Sequence, residues 1–183
     1  MAEPILIQSA GLCVEFTRQR DRFSHRVLAD DAGKRIPLLE SLEGEANDDW
    51  PVSPPWQEVH CEQRPGGVQV ALTVGKAGKS HWSASFELDP AGSLTVDVAC
   101  RTATAPIRLG SAYLSLGPFA IDATHGQARL AERWILQLAA GEAASKIELG
   151  ESASLISIGP IFDLAGSWPR TIRWKFATAP AVD

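Results

Sequence analysis

The sequence predicts an all-β, antiparallel β-sandwich built as a single domain over 1–183, and three observations carry that expectation. Apolar and polar residues alternate along several stretches. Turn-forming tetrapeptides and pentapeptides separate those stretches. A single tract, near 126–140, has helical spacing instead.

Alternation begins early, with Leu12, Val14 and Phe16 on one side of a strand at 11–17. Val68, Val70, Leu72 and Val74 repeat it at 67–74, Trp82, Ala84, Phe86 and Leu88 at 81–89, and Leu94, Val96, Val98 and Cys100 at 93–101. Period two over four or more residues marks a strand with one buried face. The separators are "RPGG" at 64–67, "GKAGKS" at 75–80 and "DPAGS" at 89–93, so 67–101 reads as a three-stranded meander. Further strands are expected at 4–9, 23–29, 56–63, 107–116, 145–149, 153–158 and 170–177.

In "THGQARLAERWILQLAAG" the apolar residues Leu130, Trp134, Ile135 and Leu138 fall at helical spacing. Thr124 and Gln127 have capping-box spacing and Gly141 stands where a C-cap glycine would, which predicts a short helix at 126–140. A strand at 132–139 is the alternative. The segment 40–56, "ESLEGEANDDWPVSPPW", is acidic and then proline-rich, which predicts a long surface loop.

At 183 residues, 45% hydrophobic and 21% charged, the chain can bury a core of ordinary size. A net charge of -5 argues against nucleic acid as a partner. No apolar run approaches the roughly 20 residues that cross a bilayer, so no membrane association is expected. The start, "MAEPILIQSAGL", lacks the basic region of a secretion signal, and a cytoplasmic location follows as the expectation. Three widely spaced cysteines, Cys13, Cys61 and Cys100, form no Cys-x-x-Cys pair and read as thiols packed as small hydrophobes. No cofactor and no metal is predicted.

Gly78-Lys79-Ser80 ends like a phosphate-binding loop, but Thr73 stands where the first glycine of that motif belongs. A strand pattern follows where a helix should start, so the tripeptide predicts a hairpin turn. Neither Gly-x-Ser-x-Gly nor His-Glu-x-x-His occurs, and His25, His60, His81 and His125 are scattered. The cluster "RQRDRFSHR" at 18–26 has four arginines and a histidine. It suits either an anion site or a solvated hairpin balanced by the acidic run at 40–49.

The meander offers the sharper candidate. If its apolar sets share one face, Leu88 lies opposite Leu94, Trp82 opposite Cys100 and His81 opposite Arg101. The other face then collects His81, Ser83, Ser85 and Glu87 with Thr95, Asp97 and Arg101, joined by Gln69 and Thr73 of the preceding strand. Hydroxyls around an imidazole, carboxylates and a guanidinium suit a hydroxyl-rich ligand. A wetted sheet face has the same composition, and concavity is what separates the two. His81 with Glu87 or Asp97 could also serve as an acid/base pair.

The succession "GLCVEFT", "FSHRVLAD", "GGVQVALTVG…HWSASFELDPAGSLTVDVAC" and "IRLGSAYLSLGPF" resembles the galactose-mutarotase-like supersandwich of carbohydrate-active proteins. The resemblance covers about 4–120. It implies a large antiparallel sandwich with a concave sheet facing a sugar, and in the enzymes of that family a histidine acid and a glutamate base. No catalytic residue of the family maps onto this chain. The resulting expectation is a carbohydrate-binding module with His81, Ser83, Glu87, Asp97 and Arg101 as ligand contacts. A mutarotase- or epimerase-like enzyme and an assembly domain using Trp50, Trp56 or Trp168 are the alternatives. The oligomeric state is not legible.

Overall fold

A computed structural model describes residues 3–31, 33–122, 127–130, 134–138, 145–149 and 154–181. Strands β1 (Ile5–Ser9), β2 (Leu12–Gln19), β3 (Arg22–Asp31) and β4 (Lys34–Ser41) follow one another as a meander. A second meander follows, of β5 (Glu58–Gln63), β6 (Gln69–Ala77), β7 (Ser80–Leu88) and β8 (Leu94–Thr102). The later strands are β9 (Ser111–Ser115), β10 (Phe119–Asp122), β11 (Gln127–Leu130), β12 (Trp134–Leu138), β13 (Ser145–Leu149), β14 (Leu155–Pro160) and β15 (Arg170–Pro180). Among the described residues they complete two antiparallel sheets, β1-β2-β3-β4-β9-β14-β13 and β10-β11-β12-β15-β8-β7-β6-β5. The all-β sandwich expected from the alternation is the observed architecture. No helix among the described residues is long and apolar enough to cross a membrane.

Side chains from the two inner faces meet as edge-on aromatic pairs. Phe16 of β2 stands 5.1 Å from Phe86 of β7, and Tyr113 of β9 stands 5.9 Å from Phe176 of β15. Both geometries favour the positive ring edge over a negative face. Cys13 and Cys100 are buried and Cys61 is half-buried, all three as free thiols.

The expected register of the meander is met, with Leu88 opposite Leu94, Trp82 opposite Cys100 and His81 opposite Arg101. Gly78-Lys79 is the two-residue turn between β6 and β7, and Gly78 takes φ +52° there. The second hairpin closes through Asp89, whose Oδ1 accepts the Ser93 N–H at 2.9 Å.

Three expectations are overturned. Among the described residues of 126–140 there is no helix. They form β11 and β12, paired Gln127 to Gln137 and Leu130 to Trp134. Ala128 and Leu130 on one strand and Trp134 and Leu136 on the other point into the core, so the period is two. The helical spacing arose because Ile135 is apolar on the outward side. Thr124, His125 and Gly141 lie outside the described residues.

Strand β6 has its two faces exchanged relative to the expectation. Ala71 and Thr73 face inward, opposite Phe86 and Ala84, whereas Val70, Leu72 and Val74 share the outward face with Glu87, Ser85 and Ser83. The reason lies in the segment 40–56, expected as a surface loop. Its acidic part stays at the surface, with Glu45, Ala46, Asn47 and Asp49 exposed, but its proline-rich part is a buried strap, with Trp56 1% and Ser53 2% exposed. The Trp56 carbonyl accepts the Phe23 N–H of β3, and Gln57 N–H donates to the Val74 carbonyl of β6. Ser53 Oγ donates to the Ala112 carbonyl and accepts the Ala112 N–H, at 3.1 and 2.9 Å. The strap closes against the inward side of β6 at Gly75, where no side chain fits. A Cβ on Gly75 would stand 1.7 Å from the Pro55 carbonyl oxygen. The larger aliphatics are therefore turned outward. Val70 stays fully buried because Arg64 reaches across it, bonding Glu62 at 2.8 Å and Glu87 at 3.0 Å on its two flanks.

Strand β4 escaped the sequence reading because its alternation is broken. A bulge between Val27 and Leu28 leaves Leu38 as the extra residue, so Leu38 and Leu39 are both buried.

Candidate functional site

The outward face of the β5–β8 and β15 strands is built from rows set by the register. One row runs Lys76, His81, Arg101 and Thr171 across β6, β7, β8 and β15. The next runs Glu58, Val74, Ser83, Ala99 and Arg173. Short side chains at Ser83 and Ala99 make a floor, and the longer residues of the first row rise beside it. A hollow of about 470 Å³ results, bordered by Glu58, Lys76, His81, Ser83, Arg101 and Thr171. That volume lies within the roughly 300–1,000 Å³ of small-molecule sites.

Of the five residues singled out from the sequence, His81, Ser83 and Arg101 border this hollow. Glu87 and Asp97 share the outward face but stand elsewhere on it, and each is held by an arginine. Glu87 accepts from Arg64 at 3.0 Å, and Asp97 accepts from Arg173 at 2.8 Å. Strand rise puts Glu87 roughly 20 Å and Asp97 roughly 13 Å along the strands from the His81 row. Neither carboxylate reaches His81 for proton transfer. Gln69 and Thr73, placed on this face by the sequence reading, have turned inward with Leu88 and Ala84.

Lys76, Glu58 and Thr171 were missed. Lys76 sits in "GKAGKS", whose glycines read as a turn, yet β6 continues to Ala77. The continuation is held by Gln57, whose side-chain amide donates to the Lys76 carbonyl and accepts the Lys76 N–H, both at 3.2 Å. Had the strand been extended by two residues, the opposition of Lys76 to His81 would have followed from the hairpin alone. Trp82 touches the hollow from below but is 4% exposed, and Trp56 is core, so neither offers an open ring here.

A second polar system lies inside the sandwich. His25 of β3 is 2% exposed and its Nε2 stands 2.9 Å from Tyr113 Oη. The His25 N–H donates to Ser41 Oγ at 2.8 Å, and Ser41 Oγ–H donates to Glu43 Oε1 at 2.7 Å. Trp174 Nε1–H, from the facing sheet, donates to Ser111 Oγ at 3.1 Å. Burial among Phe16, Phe86 and Tyr113 lowers the His25 pKa to about 3, and burial raises that of Glu43 to about 7. Arg22, expected on a solvated hairpin, is 3% exposed and is bonded by Asp21 at 2.9 Å. The 18–26 cluster therefore divides, with Arg22 and His25 enclosed by the strap and its neighbours while Arg18 and Arg20 stay outside.

No family model matches the chain, and no curated protein matches it.

Proposed function

We propose that the protein binds a saccharide in the hollow on the outward face of β6, β7, β8 and β15. One observation carries this reading: His81, Ser83 and Arg101, exposed and adjacent by register, border a concave surface together with Glu58 and Thr171. Together they present an imidazole, two hydroxyls, a carboxylate and a guanidinium, a set that can both donate to and accept from sugar hydroxyls. Backbone pairing across four strands holds their Cα positions, so little ordering is needed when a ligand arrives.

A glycan array tests the reading, with the unmodified protein and Arg101→Ala side by side. The unmodified protein binds at least one saccharide class, and Arg101→Ala loses that binding while keeping its melting temperature within about 2 °C, as expected of an exposed surface change. Absence of binding by the unmodified protein rejects the reading.

A further inference from the structure

The hollow has a charge pattern of its own. Resting on the saccharide reading, we propose that its ligand is an anionic saccharide whose carboxylate or phosphate group sits between Lys76 and Arg101.

Lys76 and Arg101 flank His81 directly, one on each neighbouring strand, and all three are exposed. Among the described residues neither cation has an acidic partner at ion-pair distance. The arginines elsewhere on the face do. Arg64 is taken by Glu62 and Glu87, and Arg173 by Asp97. Glu58 is the one carboxylate bordering the hollow, and it stands in the adjacent row, opposite Val74. Two fixed positive charges against one negative charge make this a locally cationic spot on a chain of net charge -5. The geometry also removes the usual alternative for sugars. With Trp82 4% exposed, no tryptophan ring is open for stacking at the floor, so affinity must come from polar contacts. Charge-assisted hydrogen bonds from Lys and Arg are the strong ones, and a guanidinium can meet a carboxylate or phosphate with two parallel bonds. Ser83, Thr171 and Glu58 remain for the hydroxyls.

Tryptophan fluorescence, reporting through Trp82, measures binding of three probes: galacturonate trimer, glucose 6-phosphate and neutral galactose trimer. At least one anionic probe is expected to bind roughly tenfold more tightly than the neutral one, and to weaken as sodium chloride rises from 50 to 500 mM. The double variant Lys76→Gln/Arg101→Gln, checked for an unchanged melting temperature, is expected to lose that preference. Equal or tighter binding of the neutral trimer overturns the anionic inference and leaves the saccharide reading intact. Binding of none of the probes, with an empty glycan array, overturns both. An anionic preference that survives the double variant overturns the placement of the anion between Lys76 and Arg101.

Discussion

At the scale of single residues, buried His25 and half-buried Glu43 make stability depend on pH in opposite senses. The unfolded chain protonates the His25 imidazole near 6.5, the folded chain only near 3. Below 6.5 the unfolded state therefore takes up a proton that the native state refuses, and stability falls until the pH reaches about 3. Acting alone this is worth on the order of 5 kcal/mol, at about 1.4 kcal/mol per pH unit. Glu43 works the other way. Its carboxyl, ordinarily near 4.5, is held protonated in the native state up to about 7, so its contribution is present in acid and lost as pH rises through 7. Denaturant melts from pH 3 to 8 should show His25→Phe flattening the acid-side loss, and Glu43→Gln removing the decline between pH 5 and 7. An unchanged profile in both variants would show that these groups are solvated in the native state.

At the scale of elements, the strap decides more than any strand. It ties β3, β6 and β9 together through Phe23, Val74 and Ala112, and its Pro55 carbonyl fills the space that a side chain at Gly75 of β6 would occupy. Gly75 is the tightest point. Gly75→Ala places a methyl group against the Pro55 carbonyl, at 1.7 Å before relaxation. Overpacking of this kind typically costs 1–3 kcal/mol, and here about 3 is expected, with the strap lifted from β6. Chemical denaturation measures the loss, and a midpoint equal to that of the unmodified protein would show that the strap is not seated on β6. Because Gln57 holds Lys76 in line, the same variant should weaken any ligand bound in the hollow.

At the scale of the whole molecule, β15 is the element on which the larger sheet depends. It lies between β12 and β8, pairing Trp134 with Pro180 on one side and Thr102 with Arg170 on the other. Its inward residues Ile172, Trp174 and Phe176 are 7%, 0% and 2% exposed, and Trp174 reaches Ser111 of the facing sheet. Removing everything after residue 169 would therefore split the eight-stranded sheet and take two of the largest buried aromatics from the core. The truncated chain is expected to lose its near-ultraviolet circular dichroism and its cooperative unfolding transition. Retention of either would mean that the remaining strands close without β15.

The strand-rich character, the meander and the register from His81 to Arg101 were legible because each depends on local causes. Side chains alternate with period two, and the short turn at 89–93 fixes which residues of β7 and β8 face each other. His81, Ser83 and Arg101 could be placed on one face for that reason alone. What tertiary structure alone decided is which way β6 faces, that 53–56 is buried, and that β11 and β12 are strands. Each turns on a neighbour that the local alternation does not name. Pro55 forbids bulk at Gly75, Arg64 shelters Val70, and β15 supplies the partner that makes Trp134–Leu138 extended. Hydrophobicity tells a residue to hide, but the choice of side belongs to whatever already fills the space, and a linear pattern contains no record of that.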